Sequence, residues 1–122
     1  DLASRQVMFV NEIASLKSLA VNTQQVIATS LDGKVVAYDR NSGETLWESD
    51  ELAYRDLTNP VMIGNYIAIG DFDGVVHLFD PATGSIVSRV ETKGALTNLQ
   101  VQGSRLMTQS TSGQVAIWQL VR

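Results

Sequence analysis

The chain repeats itself at an interval of about forty residues, and that interval limits the folds open to it more than any single motif does. The segment Asp-x-x-Ser-Gly-x-x-x-Trp, complete at Asp39, Ser42, Gly43 and Trp47, returns at Asp80, Thr83 and Gly84 and, in weaker form, over residues 1–9. The dipeptides Asp32-Gly33, Asp73-Gly74 and Ser112-Gly113 are separated by 41 and then 39 residues, and so are Leu16, Leu57 and Leu96, each of which opens a similar short segment. A period of this length marks supersecondary units that stack on one another to bury a shared core.

Within each unit the pattern is that of strands. Residues 26–30, 67–71 and 106–110 are short, β-branched and bounded by turn residues, as are 34–38, 75–79 and 114–118. Each pair is joined by Asp-Gly or Ser-Gly, which predicts a tight hairpin on a primed turn, with glycine accepting the positive φ. The first unit then reads as four strands at about 18–21, 26–30, 34–38 and 44–48, and the second repeats them between 58 and 91. Four short antiparallel strands per repeat predict an all-β chain built of β-propeller blades. A β-sandwich also has many short strands, but it gives no reason for a register kept this closely.

Two aligned columns explain how such blades would stack: Val35, Val76 and Val115, and three positions further on Tyr38, Phe79 and Trp118. Trp47 adds a large buried aromatic, so Trp47→Ala is expected to loosen the assembly. The expected divisions are an outer strand of a preceding blade at 1–11, blades at 12–50 and 51–92, and a last blade at 93–122 that lacks its outer strand. On this reading the chain holds the last three-odd blades of a longer propeller, with two open edges free to pair.

Composition narrows the function classes. The net charge is −4 and the nine Lys and Arg are scattered, a poor basis for neutralising phosphates. No window reaches the eighteen or so apolar residues of a membrane-spanning helix. With no cysteine there is neither a disulfide nor a thiolate metal site, which suits a reducing compartment or an exported protein without bridges.

Catalytic chemistry finds little to work with. His77 is the only histidine and aligns with Val36 and Ala116, so the strand reading outweighs a triad or a multi-histidine metal site. Asp71-Phe72-Asp73-Gly74 has the alternating acids of part of a calcium loop, but it lacks the closing glutamate and recurs as a plain turn in the first unit. Gly43 and Gly84 precede no helix, which argues against a phosphate loop. No catalytic, cofactor-binding or metal-binding residue is therefore expected. The candidates for contact with a partner are Phe72 and Asp71 beside a turn, where Leu31 and Thr111 align with Phe72, and Tyr54 and Arg55 in the longer segment between the first two units.

The motif at Asp39, Ser42, Gly43 and Trp47 resembles the repeat of quinoprotein-type propellers, with Ser88 where the second unit would carry its Trp. The stretch from Trp47 to Val61, then Ile69-Gly70-Asp71 with Gly74, and Ser112 to Val115 resembles more specifically the C-terminal blades of the BamB family, the outer-membrane lipoproteins of the bacterial β-barrel assembly machinery. That resemblance implies an eight-bladed, non-enzymatic scaffold, held by an upstream lipid anchor at the periplasmic face of the outer membrane. It would bind the periplasmic POTRA domains of BamA and assist the folding and insertion of outer-membrane proteins, whose unfolded strands are further partners for its open edges. The family's contact loops belong to earlier blades, so none is carried onto this chain. The alternatives are part of a PQQ-dependent dehydrogenase, which would need calcium ligands and an aspartate base, or a propeller with another interaction or sensing role.

Overall fold

The structure, a computed structural model, describes residues 16–119. The expected outer strand at 1–11 lies outside these residues, as do residues 120–122. Eleven strands run in chain order: β1 (Leu16–Val21), β2 (Gln25–Ser30), β3 (Val35–Asp39), β4 (Thr45–Ser49), β5 (Val61–Ile63), β6 (Tyr66–Gly70), β7 (Val75–Phe79), β8 (Ile86–Glu91), β9 (Leu96–Gln102), β10 (Arg105–Ser110) and β11 (Val115–Gln119). They form three antiparallel meanders, β1 to β4, β5 to β8 and β9 to β11, called blades I, II and III below. The described residues are thus all-β, in the blades of a β-propeller. Strand β5 is short because Pro60, just before it, has no N–H to donate to a ladder.

The Asp-Gly and Ser-Gly hairpins differ from expectation. They are not primed turns, because Asp32, Asp73 and Ser112 keep negative φ and only the glycines are positive, at 89°, 85° and 84° for Gly33, Gly74 and Gly113. Each glycine N–H donates three residues back, to Ser30, Asp71 or Ser110, while the N–H of that same residue donates four residues on, to Lys34, Val75 or Gln114. This is a type I turn closed by a glycine bulge, the three-residue hairpin loop. The extra residue supplies the strand twist that a two-residue primed turn would have supplied.

The Asp-x-x-[Ser/Thr]-Gly motif makes the β3–β4 and β7–β8 turns. Asp39 Oδ1 accepts the N–H groups of Asn41 and Ser42 at 2.8 and 2.9 Å, and Asp80 Oδ1 that of Ala82 at 2.9 Å. The Ser42 and Thr83 hydroxyls then accept the N–H two residues on, at 3.2 and 3.3 Å. Each motif residue therefore satisfies a backbone donor that the turn would otherwise leave unpaired.

Strand alternation divides each blade into two faces. Ile27, Val35 and Ala37 of blade I meet Ile67, Ile69 and Phe79 of blade II, with Leu52 and Leu57 of the connector between them. Ile63, Ala68 and Val76, on the opposite face of blade II, meet Leu96, Leu99 and Leu106 of blade III, with Trp118 packed alongside. The valine column thus faces the following blade and the aromatic column the preceding one. Val115 has no such cover among the described residues and is 66% exposed.

Candidate functional site

Because the strands are antiparallel, the β2–β3, β6–β7 and β10–β11 turns and the two connectors, residues 50–60 and 92–95, lie at one end of the blades. At this end each connector is stitched to two successive turns. The first bonds Tyr54 N–H to the Asp32 carbonyl at 2.8 Å and accepts Phe72 N–H on the Arg55 carbonyl at 3.0 Å. The second repeats the device, with Thr92 N–H on the Gly74 carbonyl at 2.6 Å and Thr111 N–H on the Ala95 carbonyl at 2.9 Å. Gly33 is required here, since a Cβ would run into the Leu52 carbonyl of the overlying connector.

Two of the four contact candidates, Tyr54 and Phe72, are exposed at this end. Tyr54 is 83% exposed and Phe72 46%, and Leu31, at the neighbouring turn, is 63% exposed. Tyr54 and Asp56 adopt left-handed φ of 62° and 51°, which costs on the order of 1 kcal/mol or more for a residue with a Cβ. Arg55, between them, turns inward to Asp71 Oδ2 at 3.5 Å and Asp73 Oδ2 at 3.6 Å, using Nη1 for both.

The carboxylate of Asp71 is 0% exposed and is turned into the blade. Its Oδ1 accepts the N–H groups of Asp73 and Val75 at 2.9 and 3.1 Å, which ties down the turn that carries Phe72. Its Oδ2 receives His77 Nε2 at 2.8 Å as well as Arg55. Arg89 Nε donates to His77 Nδ1 at 3.1 Å, so Nδ1 is the bare nitrogen and Nε2 the donor to Asp71. With four donors around it, a buried carboxylate is tolerated where an unpaired one would not be.

The sequence reading missed this network, although a signal was present. Ser30 and Ser110 stand at the position of Asp71, with Val36 and Ala116 at that of His77, so blade II alone replaces a hydroxyl and an apolar side chain by an acid and an imidazole. The turn function is common to all three blades, because Lys34 N–H and Gln114 N–H bond the Ser30 and Ser110 hydroxyls at 3.0 and 3.2 Å. The link to Arg55 belongs to blade II. His77 is enclosed by this network and faces blade I, in keeping with its place on a strand. Among the described residues no group of three or more acids or histidines is placed to hold a metal ion.

No family model matches the chain. It is similar to the outer membrane protein assembly factor BamB of Yersinia pestis, at 31% identity over 94% of this chain and 30% of the relative, and to that of Escherichia coli K12, at 28% over 94% and 30%. The crystal structure of BamB from Moraxella catarrhalis superposes with a TM-score of 0.92 at 52% identity, over 98% of this chain and 36% of that one. The chain spans about a third of the length of these proteins. Over the stretch it spans, the chain belongs to the BamB family.

Proposed function

We propose that the chain contributes propeller blades to a non-enzymatic scaffold of outer-membrane protein assembly, and that the end bearing the connectors holds a partner, the periplasmic POTRA domains of BamA. The observation that carries this reading is the exposed pair Tyr54 and Phe72, fixed to each other's segments through the Phe72 N–H bond to the Arg55 carbonyl. Tyrosine in a left-handed conformation is uphill of glycine there, which is understandable if its side chain is needed. Exposed aromatics on a rigid backbone make contact area at little cost in conformational entropy.

On this reading the protein works at the periplasmic face of the outer membrane, held there by a lipid anchor upstream of these blades. The scaffold holds partner domains at a fixed angle, and assists the folding and insertion of barrel proteins by that placement. Unpaired strand edges add main-chain pairing with extended segments of the partner or of an unfolded barrel strand.

The test is calorimetric titration of soluble BamA POTRA domains into the longest natural chain that carries this stretch. Tyr54→Gly suits the backbone, so its fold is kept and its loss of affinity reports the side chain alone. Phe72→Ala is expected to weaken binding as well, each by about 1 to 2 kcal/mol. Unchanged affinity in both variants would show that the partner is held elsewhere.

A further inference from the structure

One side chain joins the segment just before β5 of blade II to β9, the first strand of blade III. Asn59 Nδ2 donates to the Leu99 carbonyl at 3.0 Å and Asn59 Oδ1 accepts Leu99 N–H at 3.1 Å, so the primary amide stands in for a peptide group and clasps the main chain of the next blade. The repeat places Asn98 at the position of Asn59, 39 residues on. Asn98 makes no side-chain hydrogen bond among the described residues. It alternates with the buried Leu99 and so lies on the opposite face of blade III, in a groove of about 110 Å³ with Gln100, Met107, Gln109 and Val115.

The same register explains why blade I carries no such clasp. The residue of blade II aligned with Leu99 is Pro60, which has no N–H, and the residue of blade I aligned with Asn59 is Ser18, too short to bridge two groups. An amide thus stands where the facing strand offers both a donor and an acceptor, and a serine where it offers only a carbonyl. Asn98 carries the two-pronged version.

We propose that Asn98 is an open clasp for the main chain of an extended strand, the first strand of a further blade packed on the free face of blade III. That strand presents a residue other than proline at the position of Leu99. The free face continues an interface already formed between blades II and III. Val115 and Ile117, 66% and 64% exposed on it, align with Val76 and Leu78, which are covered at the II–III interface. A further blade would cover them in the same way.

The test uses the longest natural chain that carries this stretch, with the side-chain amide protons of Asn59 and Asn98 followed by NMR hydrogen exchange. Both are expected to be protected. Asn98→Ala is expected to lower Tm by about 4 °C, as Asn59→Ala does, each removing two hydrogen bonds. Asn98→Gln, with its amide displaced by a methylene, should not restore the loss. Fast exchange at Asn98 with an unchanged Tm would overturn the proposal. So would protection that appears only as concentration rises and a dimer forms in sedimentation, because the occupant would then be a second copy. A silent Asn59→Ala would show that the clasp stabilises nothing, and the proposal would fall with it.

Discussion

The indole of Trp47 lies nearly parallel to the ring of Phe79, with centroids 6.2 Å apart and planes 5° from each other, although one belongs to the last strand of blade I and the other to the third strand of blade II. Trp47 Nε1 also donates to the Pro81 carbonyl at 2.7 Å, and Gln25 Nε2 reaches that same oxygen at 2.6 Å. The aromatic of the repeat motif is therefore a bolt between blades, not a packing element within one.

Trp47→Ala removes the stack and leaves the Pro81 carbonyl with one donor fewer, at a cost of about 3 kcal/mol. Trp47→Phe keeps a ring over Phe79 and loses the hydrogen bond, for about 1 kcal/mol. Urea denaturation of the two variants should give midpoints in that order, with wild type highest. Equal midpoints for Phe and Ala would assign the whole effect to the Nε1 bond.

Gly84 shows why that bolt fits. Its φ is 77°, and a Cβ there would sit 2.5 Å from Cδ2 of Trp47, so the indole rests directly on the bare backbone of the blade II turn. Gly113 has φ 84° and, among the described residues, nothing within 4 Å of the same position. Gly113→Ala should cost only the left-handed strain, on the order of 1 kcal/mol, whereas Gly84→Ala should cost that and part of the Trp47 contact besides. Thermal denaturation compares the pair directly. A penalty at Gly113 as large as that at Gly84 would mean that backbone strain, not the indole, sets both.

The Asp71 and His77 pair invites a double-mutant cycle, because blade I shows what the site looks like without it. Asp71→Ser keeps an oxygen for the Val75 N–H but leaves His77 Nε2 without its acceptor, and His77→Val leaves one lone pair of the buried carboxylate unused. Each single change should cost about 2 kcal/mol or more. The double variant recreates Ser30 with Val36 and should recover a good part of that loss, with a coupling of about 1 kcal/mol or more. Strict additivity in chemical denaturation would mean that the two residues act independently. In either variant with Asp71 replaced Arg55 keeps only Asp73, so the proposed contact with POTRA domains predicts weaker binding even in the double variant.

Residues that repeat were legible in the sequence, and residues that break the repeat were not. Gly33, Gly74 and Gly113 announce three hairpins because each unit needs one residue of positive φ in the same place. Their turn type escaped notice because Asp-Gly serves a two-residue primed turn and a three-residue bulged loop equally well, and the choice depends on strand twist. Tyr38, Phe79 and Trp118 could be aligned, but whether they face the preceding or the following blade depends on the pairing register. Asp71 reads as a surface acid because it stands beside a turn. Its burial follows from the fold of the 50–60 connector, which lays Arg55 over the turn, and from His77 on the adjoining strand, a coincidence of three segments that linear spacing does not show.

Asp39 offers a prediction about pH. The Ser42 N–H and then the Asn41 N–H hold its carboxylate in the ionised form and lower its pKa below the ordinary aspartate range. A group more acidic when folded than when unfolded contributes its full stability above the unfolded pKa, and loses it as pH falls through the folded value. The β3–β4 turn, and with it the start of the strand that carries Trp47, should therefore weaken on acidification below the range where a free aspartate titrates. Asp39→Asn keeps an oxygen acceptor for the two N–H groups but carries no titrating charge, so its thermal stability should follow a flatter course with pH between neutral and strongly acid conditions than that of the parent chain. Parallel curves for the two proteins over that range would show that the turn draws nothing from the charge on Asp39 and that the acceptor oxygen alone holds it.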